Sequence, residues 1–309
     1  MRLVNGRMLY PGAGMLVMAI EAAKELAGQS CKVDGYTLRG VRLEGPMDLS
    51  NQKGSLEVQT TLRESKDHLL GARSFEFTIQ TCAEDSWLLN CVGIVSVQYS
   101  QVVDDWSISR IETQQKHTIR DLLSPTVECT KRVDSQDMYQ FLKKHGLEYG
   151  PFFQAIQDQR YHQNGKKAIG KMTPFHPSEH DCIIHPISMD AIMHLSFTAL
   201  TSGGSRPMAT SVPTRIEHVY VSIGDGDCSA SASNTVCSSI TSVTQHGFTC
   251  SGIAVNSHDS RTPRLWYEGL EMTNVTVTPN PLPLPNPRQY CMNIHCKVAL
   301  ALLEFGKPV

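Results

Sequence analysis

Gly6-Arg7-Met8-Leu9-Tyr10-Pro11-Gly12-Ala13-Gly14 runs directly into the apolar stretch Met15 to Leu26, and the reading of this junction decides the fold. A helix is predicted over residues 11–27. Pro11 suits an early helical position, where its missing N–H would be unpaired anyway, and Gly28 ends the run. Leu16, Ala19, Ile20, Ala23 and Ala27 recur at spacings of three and four, which gives the helix one apolar face. From Leu38 to Tyr99 the period shortens. Leu56–Leu62, Ser74–Gln80 and Trp87–Tyr99 are rich in β-branched and aromatic residues and read as strands. One long helix followed by several antiparallel strands predicts a sheet wrapped around a helix.

The same order then repeats. Residues 100–126 are polar and mixed, end near Pro125, and read as a linker. Ser135 is placed to cap a helix through Lys144, stopped by His145-Gly146, with strands at Ala155–Tyr161 and Lys167–Lys171. His185-Pro186 opens a second long helix, Ile187 to about Leu200, ended by Gly203-Gly204. Strands are expected at Val219–Ile223, Cys228–Val236, Ser238–Val243, Phe248–Asn256 and Trp266–Thr278. Turn, Pro, one long helix, then strands: the architecture repeats with little residue identity. The implied organisation is a first unit at 1–99, a linker at 100–126, a second unit at 127–278 and a tail at 279–309. In the tail, Pro occupies every second position from Pro279 to Pro287, a pattern of extended chain.

Charge and cysteine usage narrow the class. Lys and Arg number 28 against 30 Asp and Glu, a net charge of −2, so no basic footprint points to nucleic acid or an anionic membrane. No apolar run approaches the roughly 18 residues of a membrane span. Met15–Ile20 sits behind a Pro-Gly turn and is followed by Glu21, unlike a signal-peptide core. The ten Cys are scattered without a C-x-x-C pair or zinc-ligand spacing, so no metal is expected and a reducing, cytoplasmic setting is.

Asp190 and His194 lie four residues apart on the second long helix and share a face. A carboxylate beside an imidazole can hold a defined protonation state and move a proton; by spacing alone, a solvated helical Asp beside a polar His is the favoured reading of the pair. Their neighbours Met189 and Ala191 to Met193 are apolar, and an ionisable group on a buried helix is costly unless paired or used. Leu147-Glu148-Tyr149-Gly150-Pro151-Phe152-Phe153 reads as a fixed turn carrying a phenol, with two Phe side chains as an apolar wall. It is read either as the lining of an acyl tunnel or as a packed turn.

These pieces together resemble the dehydratase domains of polyketide synthases, of the highly reducing fungal type. The resemblance rests on Gly6…Pro11-Gly12-Ala13-Gly14, Trp87…Cys91-Val92-Gly93, Tyr149-Gly150-Pro151-Phe152-Phe153, His185-Pro186…Asp190…His194 and Val212-Pro213-Thr214-Arg215-Ile216, in that order, over about residues 2–278. It implies an α+β double hotdog, two antiparallel sheets each wrapped around a central helix, with the active site between the halves. It implies dehydration of a 3-hydroxyacyl chain, carried on the phosphopantetheine of an acyl carrier protein or polyketide synthase, to the enoyl thioester. No cofactor is implied. A His four residues before the Gly removes the α proton, and the Asp of the second helix protonates the departing hydroxyl. By this resemblance Asp190 is the proton donor and His194 its support, while Tyr10, Pro11, Tyr149, Gly150, Pro151, Phe152, His185 and Pro186 contact substrate.

The His position is filled by Arg2, whose guanidinium stays protonated and cannot accept the α proton. The resemblance also implies strands ahead of this motif, so the first hotdog is expected to be incomplete. Its open sheet edge would invite pairing with another chain, a homodimer being one outcome. Three readings stay open: a remnant of a larger synthase gene or a misassigned start, a protein that lost dehydration but kept its cleft for isomerisation or cyclisation, and a docking partner of a synthase.

Overall fold

In a computed structural model, the structure describes residues 2–27, 32–50, 56–65, 72–83, 86–99, 119–172, 182–223, 233–256 and 263–275. The Pro-rich tail and residues 100–118 of the expected linker lie outside the described residues.

Helix α1 spans Gly12–Leu26, with Pro11 extended (ψ 139°) as its cap rather than inside the first turn. The predicted face is buried at Leu16, Ala19, Ile20 and Ala23, each 0% exposed, while Ala27 is half-buried and the first turns, Gly12–Val17, are buried all round. Gly14 is required because the Tyr10 ring folds over it; a Cβ there would stand 2.4 Å from Tyr10 Cε1. Strands β3 (Val33–Leu43), β4 (Val58–Glu64), β5 (Ala72–Ala83) and β6 (Ser86–Tyr99) follow. Alternation buries Phe75, Phe77 and Ile79 of β5 beneath α1. Each such side chain contributes about 1.5–3 kcal/mol of apolar burial.

The second half repeats this plan. Helix α2 spans Ser135–Lys144, and its cap is Asp134, not Ser135: the Asp134 carboxylate accepts from the N–H groups of Gln136 and Asp137. One Asp134 oxygen, Oδ1, takes both N–H groups, at 2.8 and 3.1 Å, from just ahead of the first turn, whereas Ser135 already lies inside it. Helix α3 spans Pro186–Thr201 and ends at Ser202 in the left-handed conformation (φ 51°). Around it lie β9 (Ile156–Tyr161), β10 (Lys167–Met172), β11 (Ser211–Ser222), β12 (Asn234–Thr244), β13 (Gly247–Asn256) and β14 (Pro263–Asn274), with the two-residue β7 (Lys131–Arg132) at the rim. The two short strands expected at 228–236 and 238–243 are, over the described residues, the single strand β12, bent by a register shift between Ile240 and Ser242.

The two halves are fused rather than laid side by side. The strands form one antiparallel ladder in the order β4-β5-β6-β3-β11-β14-β13-β12-β10-β9-β7. The seam is the pair β3·β11, from Arg42 opposite Arg215 to Gly35 opposite Ser222. Among the described residues β4 ends the ladder on the first half's side, paired with β5 alone. Helices α1 and α3 touch each other across the seam. This is the double hotdog, with the apolar core running continuously through both halves.

The stretch expected to be a linker contributes to packing from residue 119 onward. Residues 119–123 are helical, and Leu122 is buried with Cys129, Ile169, Cys237, Ile253, Val255 and Trp266 on the outer face of the second sheet. The polar composition of 100–126 concealed this, because Ile119, Leu122 and Leu123 fall among charged neighbours. No described helix is long and apolar enough to cross a membrane.

Candidate active site

The first motif forms a hairpin before it reaches α1. Strand β1 (Arg2–Val4) turns through Asn5 (φ 48°) and Gly6 (φ 79°) into β2 (Arg7–Met8). A two-residue Asn-Gly turn with both φ positive matches the right-handed twist of paired strands. The tip is anchored in the second half: the Asn5 N–H donates to the Gly146 carbonyl at 2.8 Å, and Thr210 Oγ1 lies 3.0 Å from Asn5 Oδ1. At the base, Arg7 Nε donates to Asp48 at 3.0 Å. With the tip fixed, β1 pairs antiparallel with β8 (Leu147–Tyr149), which sets Arg2 directly opposite Tyr149. The hairpin thus carries the Arg2 side chain across to the second half.

There Arg2 meets Asp190. Arg2 Nη1 donates to Asp190 Oδ1 at 3.1 Å, and the two side chains are 6% and 4% exposed. His194 Nε2, one turn further along α3, donates to the other carboxylate oxygen, Oδ2, at 3.0 Å. Both Asp190 oxygens are therefore occupied. Tyr149 roofs the group, its ring centroid 3.9 Å from that of His194 and 5.6 Å from Arg2 Cζ, within cation–π range. On the far side of His194, Tyr139 of α2 accepts the Ile156 N–H at 3.3 Å and faces His194 Nδ1 at 3.5 Å.

Burial on its own would raise the Asp190 carboxyl, but the adjacent Arg2 guanidinium and then His194 outweigh it and hold the group below the ordinary carboxylate range. Burial would likewise lower Arg2, and Asp190 more than offsets it, so the guanidinium is pushed up. Burial raises the Tyr139 and Tyr149 phenols beyond their usual range, so both stay protonated. The site is a buried ion pair with two neutral phenols around it. Among the described residues, no group of three or more His, Cys, Asp or Glu side chains is placed to hold a metal ion.

The structure thus brings together Arg2, Asp190, His194 and Tyr149. Tyr10 and Pro11 are buried at the junction of hairpin and helix. Gly150 opens a short 3-10 turn, Pro151–Phe153, on which the paired apolar wall does not form: Pro151 is exposed and Phe152 is 68% exposed, whereas Phe153 packs into the core. A 3-10 turn sends successive side chains about 120° apart, so two consecutive Phe cannot share one wall. His185 and Pro186 serve the helix itself. His185 Nδ1 accepts the Ile187 N–H at 3.1 Å as the α3 cap, and Pro186 is the first helical residue.

Two participants escape the sequence reading. Tyr139 lies on an amphipathic helix where its spacing from Met138 and Leu142 marks it as core. Asn5 carried a usable signal, since Asn-Gly is a strong hairpin turn, and it fixes where Arg2 lands.

Comparison with known proteins agrees with this architecture. Residues 119–281, more than half of the chain, match the polyketide synthase dehydratase N-terminal domain, and residues 2–81 match the polyketide synthase dehydratase domain. The reducing polyketide synthase pksF of Alternaria solani is 30% identical over 71% of this chain, and the highly reducing polyketide synthase 40 of Fusarium mangiferae is 26% identical over 97%. The chain spans only 10% and 12% of the length of those two relatives. Among solved structures, the dehydratase domain from the CurK module of curacin polyketide synthase superposes with a TM-score of 0.65 at 19% identity, covering 89% of this chain and 87% of that one. Two further structures of the CurK dehydratase, described as inactive mutants, carry Phe in place of a His and Asn in place of an Asp; their TM-scores are 0.62 and 0.63, both at 18% identity, covering 89% of this chain and 86% of theirs. The chain belongs to the polyketide synthase dehydratase family.

Proposed function

We propose that this chain is a dehydratase-fold region of polyketide biosynthesis that no longer dehydrates, its acyl site closed by an internal ion pair. The observation that carries the reading is the buried contact between Arg2 Nη1 and Asp190 Oδ1 at 3.1 Å. Dehydration of a 3-hydroxyacyl thioester needs one group to take the α proton and another to give a proton to the leaving hydroxyl. Arg2 stands against Asp190 where the family resemblance expects the base, and it cannot accept a proton. The same guanidinium holds Asp190 ionised, so the expected donor has no proton to give. His194 offers no substitute, because Nε2 is engaged by Asp190 and Nδ1 faces Tyr139.

Loss of a positioned acid or base removes about 10²–10⁴ in rate, and groups that act as a unit lose more together than either alone suggests. The CurK dehydratase, described as inactive when a single His or a single Asp is replaced, fits that expectation. The ligand class proposed for the cleft between the halves remains a polyketide or 3-hydroxyacyl chain on the phosphopantetheine of a carrier protein, with the rest of a synthase as partner. Incubating the chain with a 3-hydroxyacyl pantetheine thioester and following loss of water by mass tests the reading. Enoyl product no higher than in a protein-free control is expected, and product above it overturns the proposal.

A further inference from the structure

The contacts at Asp190 run on through His194 to Tyr139. An ionised carboxylate only accepts, so the hydrogen between Asp190 Oδ2 and His194 Nε2 belongs to the imidazole. At the other end, the Tyr139 oxygen already accepts the Ile156 N–H at 3.3 Å. Its own hydrogen has a bare His194 Nδ1, 3.5 Å away, within reach as an acceptor. Tyr139 is 5% exposed and His194 4%, so bulk water does not compete for either group. The contacts are continuous: Ile156 N–H to Tyr139, Tyr139 to His194 Nδ1, His194 Nε2 to Asp190. Strand β9, helix α2 and helix α3 each supply one link.

We propose that Tyr139 is a positioning residue of this site: its hydroxyl fixes His194 with Nδ1 bare and Nε2 protonated, and so aims a second donor, beside Arg2, at the Asp190 carboxylate. The two rings lie nearly perpendicular, with centroids 6.0 Å apart at 83°. The inference shares the ion pair of the proposed function, but it concerns who donates to whom and does not require that dehydration be absent.

Nitrogen-15 NMR of the native protein, labelled at histidine, reads the state of His194 directly. The expected result is a protonated Nε2 and an unprotonated Nδ1 displaced upfield by an accepted hydrogen bond; a protonated Nδ1, whether or not Nε2 also carries a proton, overturns the proposal. In Tyr139→Phe, which keeps the ring and its packing, Nδ1 should move to the position of a free ring nitrogen. The Nε2–H proton should then exchange with water about tenfold faster, the factor one net hydrogen bond is worth. Unchanged Nδ1 shift and exchange rate would show that Tyr139 only fills space. Because the readout is a tautomer and not turnover, its failure and the failure of the proposed function are separable.

Discussion

Helices α1 and α3 occupy matching places, each long, each opened at a Pro, each laid across its own part of the ladder. Helix α1 is buried all round over Gly12–Val17 and keeps its charges, Glu21, Lys24 and Glu25, in its less buried last turns. Its Glu21 accepts the Ile183 N–H at 2.7 Å and so ties down the chain that leads into α3. Helix α3 is buried on nearly all sides and carries Asp190 and His194 into that interior. The first half reaches the site through the strand residue Arg2, delivered by a hairpin that pairs with the second half. A carboxylate on a half-exposed turn can be solvated and serve packing. One on a buried helix must be answered by a cation, and here the answer is Arg2.

That contrast breaks most visibly at the ion pair. Asp190→Asn leaves Arg2 buried without its counter-charge, and Arg2→Met leaves Asp190 so; either should cost about 3–5 kcal/mol in urea unfolding. The double variant should cost much less than the sum, since no buried charge is then left unanswered. Simple additivity would mean that the two side chains do not stabilise each other.

The next effect concerns the hairpin's junction with α1. Gly14→Ala places a methyl group 2.4 Å from Tyr10 Cε1 and should cost about 1–3 kcal/mol through overpacking. A Gly14→Ala protein as stable as the parent would show that Tyr10 does not hold this junction. Smallest is the choice of cap on α2. Asp134→Ala should cost about 1 kcal/mol and Ser135→Ala no more than about 0.5 kcal/mol. The reverse order would restore Ser135 as the cap.

What was legible in the sequence follows from range. The faces of α1 and α3, the strand periods and the Asp190–His194 spacing are local, and each is written within one or two turns of chain. The fold class and family were legible because several short motifs keep their order. The fusion of the halves at β3·β11 was not, because it pairs Val41 with Ile216 across a separation no local pattern encodes. Phe152 and Phe153 are chemically the same, and only the 3-10 turn decides that Phe153 goes inward. Asp134 and Ser135 are both good caps, and the backbone chose between neighbours. The position of Arg2 was legible from its distance to Gly6, but its partner was not: nothing in the sequence says that the would-be acid and the residue in the base's place satisfy each other.

The account rests on Arg2 silencing a site that is otherwise assembled. The direct measurement compares the chain with its Arg2→His variant on one 3-hydroxyacyl pantetheine thioester, following enoyl product by mass. The account predicts background for the parent and, for Arg2→His, product above it by a factor on the order of 10²–10⁴, the span a positioned base supplies. Enoyl product from the parent, or no gain in a folded Arg2→His protein, would contradict it.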